Sequence, residues 1–157
     1  SLPLRNSMDT TQLVPERRET SAQLERSIEI LDAAVRTFAA VATAVGCPLG
    51  GGFRLGYTTS IPRQVGLGGS SALVIGALRC LNQHFGLDMP PEVLPSVALQ
   101  AETTELGLAT GLQDRVPQVL GGLVAMDFTE PHVDARFGVS HGTYERLDPA
   151  ALPMVML

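Results

Sequence analysis

The chain has no lysine and no tryptophan, only two cysteines, and 4% aromatic residues among its 157. Without lysine there is no Walker-type phosphate loop, which needs that residue directly after its last glycine. With few aromatics, a core must be built from Leu, Val, Ile and Ala. Two cysteines, Cys47 and Cys80, do not make a disulfide framework. They point to a reducing compartment, and both are expected as buried or inert thiols. No run approaches the ~18 apolar residues of a membrane span, and the N-terminus lacks the pattern of a signal peptide. We therefore read the chain as soluble and cytoplasmic. No basic run occurs and the formal net charge is −5, which argues against nucleic acid as a partner. Isolated arginines can still grip one phosphate or one carboxylate. Apolar residues at 45% and charged ones at 17% describe one ordinary globular domain with a real core.

What is abundant is glycine, and its placement is informative. The run Gly66-Leu67-Gly68-Gly69-Ser70-Ser71-Ala72 leads into an apolar segment of helical character. Glycines permit left-handed backbone there, and free N–H groups at a helix start face one concavity with the positive end of the helix dipole behind them. Such a loop is a phosphate cradle or simply a tight turn. A dinucleotide fingerprint fits poorly, because Ser71 stands where its last glycine belongs. A hydrolase nucleophile at Ser70 would want Gly-x-Ser-x-Gly, which is absent.

Around the loop, periodicity predicts the elements. Residues 1–19 read as a polar loop and 20–157 as the folded core. Ser21 is placed to cap a helix to about Val45, stopped by Gly46, with Leu24, Ile28, Leu31, Val35, Phe38, Ala42 and Val45 on one face. Alternation over Phe53–Thr59 predicts a strand. The helix after the loop runs to about Phe85, ended by Gly86, and its apolar character predicts burial on all sides. Pro90 and Pro91 open a further helix bearing Glu102 and Glu105, three apart and nearly on one face. A short helix over Gly111–Val119 carries Asp114 near its start, and Leu123–Phe128 reads as a strand. His84 reads as a helix-end residue. His132, Asp134 and His141 fall in an expected loop at loose spacing, which argues against zinc.

The run from Pro62 through Gly66, Leu67, Gly68, Ser70 and Ser71 resembles the second motif of the GHMP kinases, the family of galactokinase, homoserine kinase, mevalonate kinase and phosphomevalonate kinase. Gly69 departs from it, standing where a serine is usual. Downstream, Ala101-Glu102 precedes Gly111-Leu112-Gln113-Asp114-Arg115, again as in that family. The resemblance implies an α+β, GHMP-kinase-like fold (ribosomal protein S5 domain 2-like), here the incomplete N-terminal ATP-binding domain without the C-terminal one. It implies ATP and Mg²⁺, with residues 62–72 as the phosphate loop and Pro62, Gly66, Leu67, Gly68, Gly69, Ser70, Ser71 and Ala72 at the nucleotide. By position, Ser70 and Glu102 would hold magnesium and Asp114 would be the base. Glu105 is the alternative ligand, though the spacing to Asp114 favours Glu102. These are the parts phosphoryl transfer needs.

From about Phe53 onward the chain is most similar to the glucuronokinase branch, in Gly111–Val116, Gln118-Val119, Gly121–Val124, Met126–Phe128, His132, Asp134, His141–Tyr144 and Leu152-Pro153. That implies a sugar kinase acting on the anomeric hydroxyl of a uronic acid. Arg63 or Arg115 would hold the sugar carboxylate, or serve in a structural ion pair. Another sugar kinase of the family, for a heptose phosphate or arabinose, is the near rival. A nucleotide-binding piece without chemistry is the distant one. The family's first and third motifs are not in these 157 residues, which open on Ser1 and close on strand-like Leu152–Leu157. We read them as an internal piece of a longer enzyme, inactive alone.

Overall fold

The computed structural model describes residues 21–61 and 66–151. Among these residues the fold is carried by four α-helices and one hairpin: α1 (Ser21–Ala44), α2 (Gly69–Phe85), α3 (Leu94–Gln100), α4 (Arg115–Leu120), β1 (Leu123–Val133) and β2 (Ser140–Leu147). The expected Pro62 and Arg63 positions, the loop over 1–19 and the terminal strand lie outside the described residues.

The first helix ends as its sequence requires. Gly46 takes φ 71°, and the N–H groups of Gly46 and Cys47 reach back to the carbonyls of Thr43 and Ala42 at 3.1 and 2.8 Å. Its buried surface is wider than the single stripe the spacing predicts. Ile30, Ala33, Ala34 and Val41 are buried beside Leu31, Val35, Phe38 and Ala42, whereas Leu24 and Ile28 are only half-buried. The cause is that α1 is covered on two sides, by α2 and by the turn that follows α3. Across the first contact Phe38 stacks at a tilt on Phe85, ring centres 5.8 Å apart.

The second helix departs from expectation the other way. Val74, Ile75, Leu78 and Leu81 fill the core, but Gly76, Arg79, Cys80, Gln83 and His84 are exposed. Cys80 is thus a surface thiol, not a buried one. Gly86, at φ 61°, closes the helix with its N–H on the Asn82 carbonyl. Residues 53–59 keep the rhythm of a strand. Leu55, Tyr57 and Thr59 are half-buried and Arg54, Gly56 and Thr58 exposed, yet this segment pairs with no strand among the described residues. Period-two burial without a hydrogen-bonded neighbour gives an extended segment without a ladder.

The hairpin is longer than Leu123–Phe128. β1 continues to Val133, pairing antiparallel with β2 from Leu123↔Leu147 to Val133↔Ser140, with a register shift between Asp127 and His132. Pro131 lies in that irregular part, where a missing donor does little harm. Asp127 accepts there from the Thr129 N–H at 2.9 Å and its hydroxyl at 2.7 Å, which hold its carboxyl below the ordinary range. His132 and His141 are therefore strand partners, not loop residues. Asp134 builds the turn by accepting the N–H groups of Arg136 and Phe137 at 2.9 and 2.8 Å. No cluster of His, Cys, Asp and Glu fit for a metal occurs among the described residues, nor does any helix there have the length and apolarity to cross a membrane.

Candidate active site

Two left-handed glycines shape the loop before α2. Gly66 has φ 75° and Gly68 φ 63°, a region that costs an L-residue about 1–2 kcal/mol. Gly68 stands just outside the helix and has no side chain to cap it. The first N–H groups of α2 therefore have no helical partner and remain available at the positive end of the dipole. The Gly68 carbonyl, by contrast, is held back by three donors: Ala72 N–H at 3.0 Å, Ser71 Oγ at 2.9 Å and Gln118 Nε2 at 3.0 Å. An anion cradle needs this polarity, with amides forward and carbonyls withdrawn.

Gly68 also has no room to change. A Cβ there would stand 2.6 Å from Gln118 Nε2, 3.2 Å from Ser71 Oγ and 3.4 Å from Asp114 Cβ. At Gly66 nothing among the described residues lies within 4 Å. Gly68→Ala is therefore expected to weaken binding of an ATP analogue by about tenfold or more, and Gly66→Ala, with backbone strain alone, by less. Titration calorimetry on both variants checks the order.

The loop floors an open cleft of about 520 Å³. Gly66 to Ser71 form one wall, Glu102, Asp114 and Arg115 another, and Gln23 and Arg26 of α1 a third. Asp114 immediately precedes α4, is exposed, and makes no capping hydrogen bond. Among the described residues nothing binds its carboxylate, which lines the cleft. Ala72 does not line the cleft; its contribution is the N–H that holds the Gly68 carbonyl.

Glu102 is positioned by a break in helical geometry. After α3 the chain widens into a π turn over Ala101–Glu105, a form frequent at functional sites. Thr103 Oγ1 donates to the Leu99 carbonyl at 2.9 Å, and Leu108 N–H reaches the Glu102 carbonyl at 2.9 Å. In this wider turn the three-residue spacing no longer places two side chains on one face. Glu102 turns inward with its side chain 3% exposed, while Glu105 turns to Arg36 Nε at 3.8 Å and does not line the cleft.

Both carboxylate oxygens of Glu102 are engaged. Ser70 Oγ donates to Oε1 at 2.7 Å. Oε2 takes the guanidinium of Arg115, itself buried and also bonded to the Gly111 carbonyl. Of the two roles open to Arg115, the structure shows the ion pair. The oxygens of Ser70 and Glu102 are hard donors, as magnesium requires. Neighbouring ligands of an octahedral ion with bonds of about 2.0–2.1 Å lie about 2.9 Å apart, within a few tenths of the 2.7 Å seen here. The pair thus fits such an ion.

Sequence reasoning gave neither Gln118, named there only within a family likeness, nor Arg26 a role at the site. The signal for Gln118 was present, since it lies four residues after Asp114 and so on the same face of α4. Arg26 gave none beyond its place on a polar helix face.

Residues 30–122, more than half of the chain, match the family described as GHMP kinases N terminal domain. The chain belongs to the GHMP kinases. Among its GHMP kinase relatives, Glucuronokinase 1 of Arabidopsis thaliana is 48% identical over 107 residues, covering 67% of this chain. Probable glucuronokinase 2 of the same plant is 48% identical over 108 residues. The D-glycero-alpha-D-manno-heptose 7-phosphate kinase of Campylobacter jejuni is 32% identical over 76 residues, 48% of this chain and 22% of its own. The matched part spans 28% of the length of the two Arabidopsis relatives. No solved structure matches the chain. The chain thus holds the α+β N-terminal domain of the GHMP kinases in part.

Proposed function

We propose that this GHMP kinase transfers the γ-phosphoryl group of ATP to the anomeric hydroxyl of a uronic acid. The observation that carries the reading is the 2.7 Å contact of Ser70 with Glu102, which joins the phosphate loop to a buried carboxylate in the cleft that Asp114 also lines. The likeness to two glucuronokinases supports the substrate class.

In this reading the α2 amides bind the nucleotide phosphates and Gln118 keeps the loop in shape. Ser70 and Glu102 would hold a magnesium ion, whose charge would offset that of the phosphates. Asp114 accepts a hydrogen bond from the sugar hydroxyl, aims its oxygen at the γ-phosphorus and takes its proton as the new P–O bond forms. The leaving oxygen departs with ADP.

Arg115 is committed to Glu102, which leaves for the sugar carboxylate Arg63, outside the described residues, and the cations of the cleft itself. Arg26 lines the cleft; among the described residues it pairs with Glu29 at 2.9 Å, on a side chain that is 46% exposed. We assign it to the carboxylate. Arg26→Met is expected to raise KM for glucuronate about tenfold while leaving KM for ATP unchanged. The parent test is sugar-dependent ADP release by the full-length protein across glucuronate, galactose, arabinose and heptose 7-phosphate. Glucuronate should give the highest kcat/KM; preference for the heptose phosphate would move the protein to the branch of the Campylobacter relative.

A further inference from the structure

We infer that Arg115 sets the charge of the Glu102 site, so that the cleft takes its divalent cation together with the nucleotide phosphates and rejects the free ion. This rests on the reading of Ser70 and Glu102 as the metal-holding pair. Glu102 and Arg115 are 3% and 2% exposed in their side chains, so each charge sees the other far more than it sees water. Arg115 occupies Oε2, and Oε1, which accepts the Ser70 hydroxyl, keeps a second lone pair for a ligand. What the site offers is one carboxylate oxygen whose charge is already balanced, and one neutral hydroxyl.

A free Mg²⁺ ion surrenders its water reluctantly. A charge-balanced pair of oxygens gives too little in return. The phosphates of a nucleotide bring their own negative charge and their own oxygens, and with them the same two side-chain oxygens suffice. Arg115 is therefore a positioning residue. It acts through Glu102, orienting the carboxylate and cancelling its charge. It also ties that carboxylate to the start of α4, where the preceding residue is Asp114. The site's electrostatics and the placement of the base share one anchor.

The test needs neither sugar nor turnover. Mn²⁺ alone is titrated into the protein, and free ion is counted by its solution EPR signal. The wild type should bind free Mn²⁺ with a dissociation constant above about 1 mM, and an added non-hydrolysable ATP analogue should bring capture well below that. Arg115→Gln keeps a donor for Glu102 and removes the charge; it should bind free Mn²⁺ at least tenfold more tightly. Arg115→Lys keeps the charge and should behave as wild type. In Arg115→Gln/Glu102→Gln the gain should vanish. Circular dichroism confirms the fold of each, and should Arg115→Gln not fold, Arg115→Met and the wild-type titration decide. Equal free-ion affinity in wild type and the neutral variant, or tight free-ion binding by the wild type, overturns the inference. A lack of ADP release with glucuronate would instead overturn the proposed substrate and leave this result standing.

Discussion

Asp114→Asn is expected to lower turnover by about 10²-fold or more while ATP binding stays within about twofold. The side chain is exposed at the cleft, precedes α4 and is not consumed by capping. Asn keeps the size and one acceptor but cannot take the proton of a sugar hydroxyl. The phosphate loop should not register the change, because its carbonyl is held by Gln118, Ser71 and Ala72. Single-turnover phosphoryl transfer and analogue binding, measured on one preparation, separate chemistry from affinity. Near-normal turnover in a folded Asp114→Asn protein would remove it as the base.

Glu102→Gln is expected to act on both metal use and stability. Losing the carboxylate should raise the magnesium concentration needed for half-maximal activity by about tenfold or more. It also strands a buried guanidinium whose Nε already has no partner, and breaking a buried pair from one side costs on the order of 3–5 kcal/mol. Glu105→Gln should do neither to a comparable degree. Its carboxylate is partly exposed and meets Arg36 at 3.8 Å, a surface contact worth about 0–1 kcal/mol. Magnesium titration and urea unfolding on both variants give the order; the reverse order would transfer the metal role to Glu105.

Much of this geometry could be read in the chain before any fold was known, because short-range rules govern it. Gly46 and Gly86 end helices by left-handed backbone, and Gly66 and Gly68 shape a loop by the same means. Where sequence reading fell short, packing decided. The π turn separates Glu102 from Glu105, and no helical wheel anticipates the extra residue in that turn. The commitment of Arg115 depends on where α4 meets the turn after α3. Residues 53–59 alternate as a strand should, but a ladder requires a neighbour that the segment cannot specify by itself. Cys80 sits on the open side of α2, whereas the exposed Arg79 reaches across to donate to the Val119 carbonyl of α4 at 2.6 Å; neither placement can be read from the helix's own apolar pattern. Beyond Phe128 the hairpin hid behind Pro131 and the register shift.

The central claim is that this cleft moves a phosphoryl group from ATP to the anomeric oxygen of a uronic acid. The most direct measurement is a ³¹P and ¹³C NMR spectrum of the product formed by the full-length protein from ATP, Mg²⁺ and D-glucuronate. The account predicts one ADP per sugar and phosphorus coupling to the anomeric carbon, both lost in Asp114→Asn. Phosphate on another hydroxyl, or ADP released without a phosphorylated sugar, would contradict it.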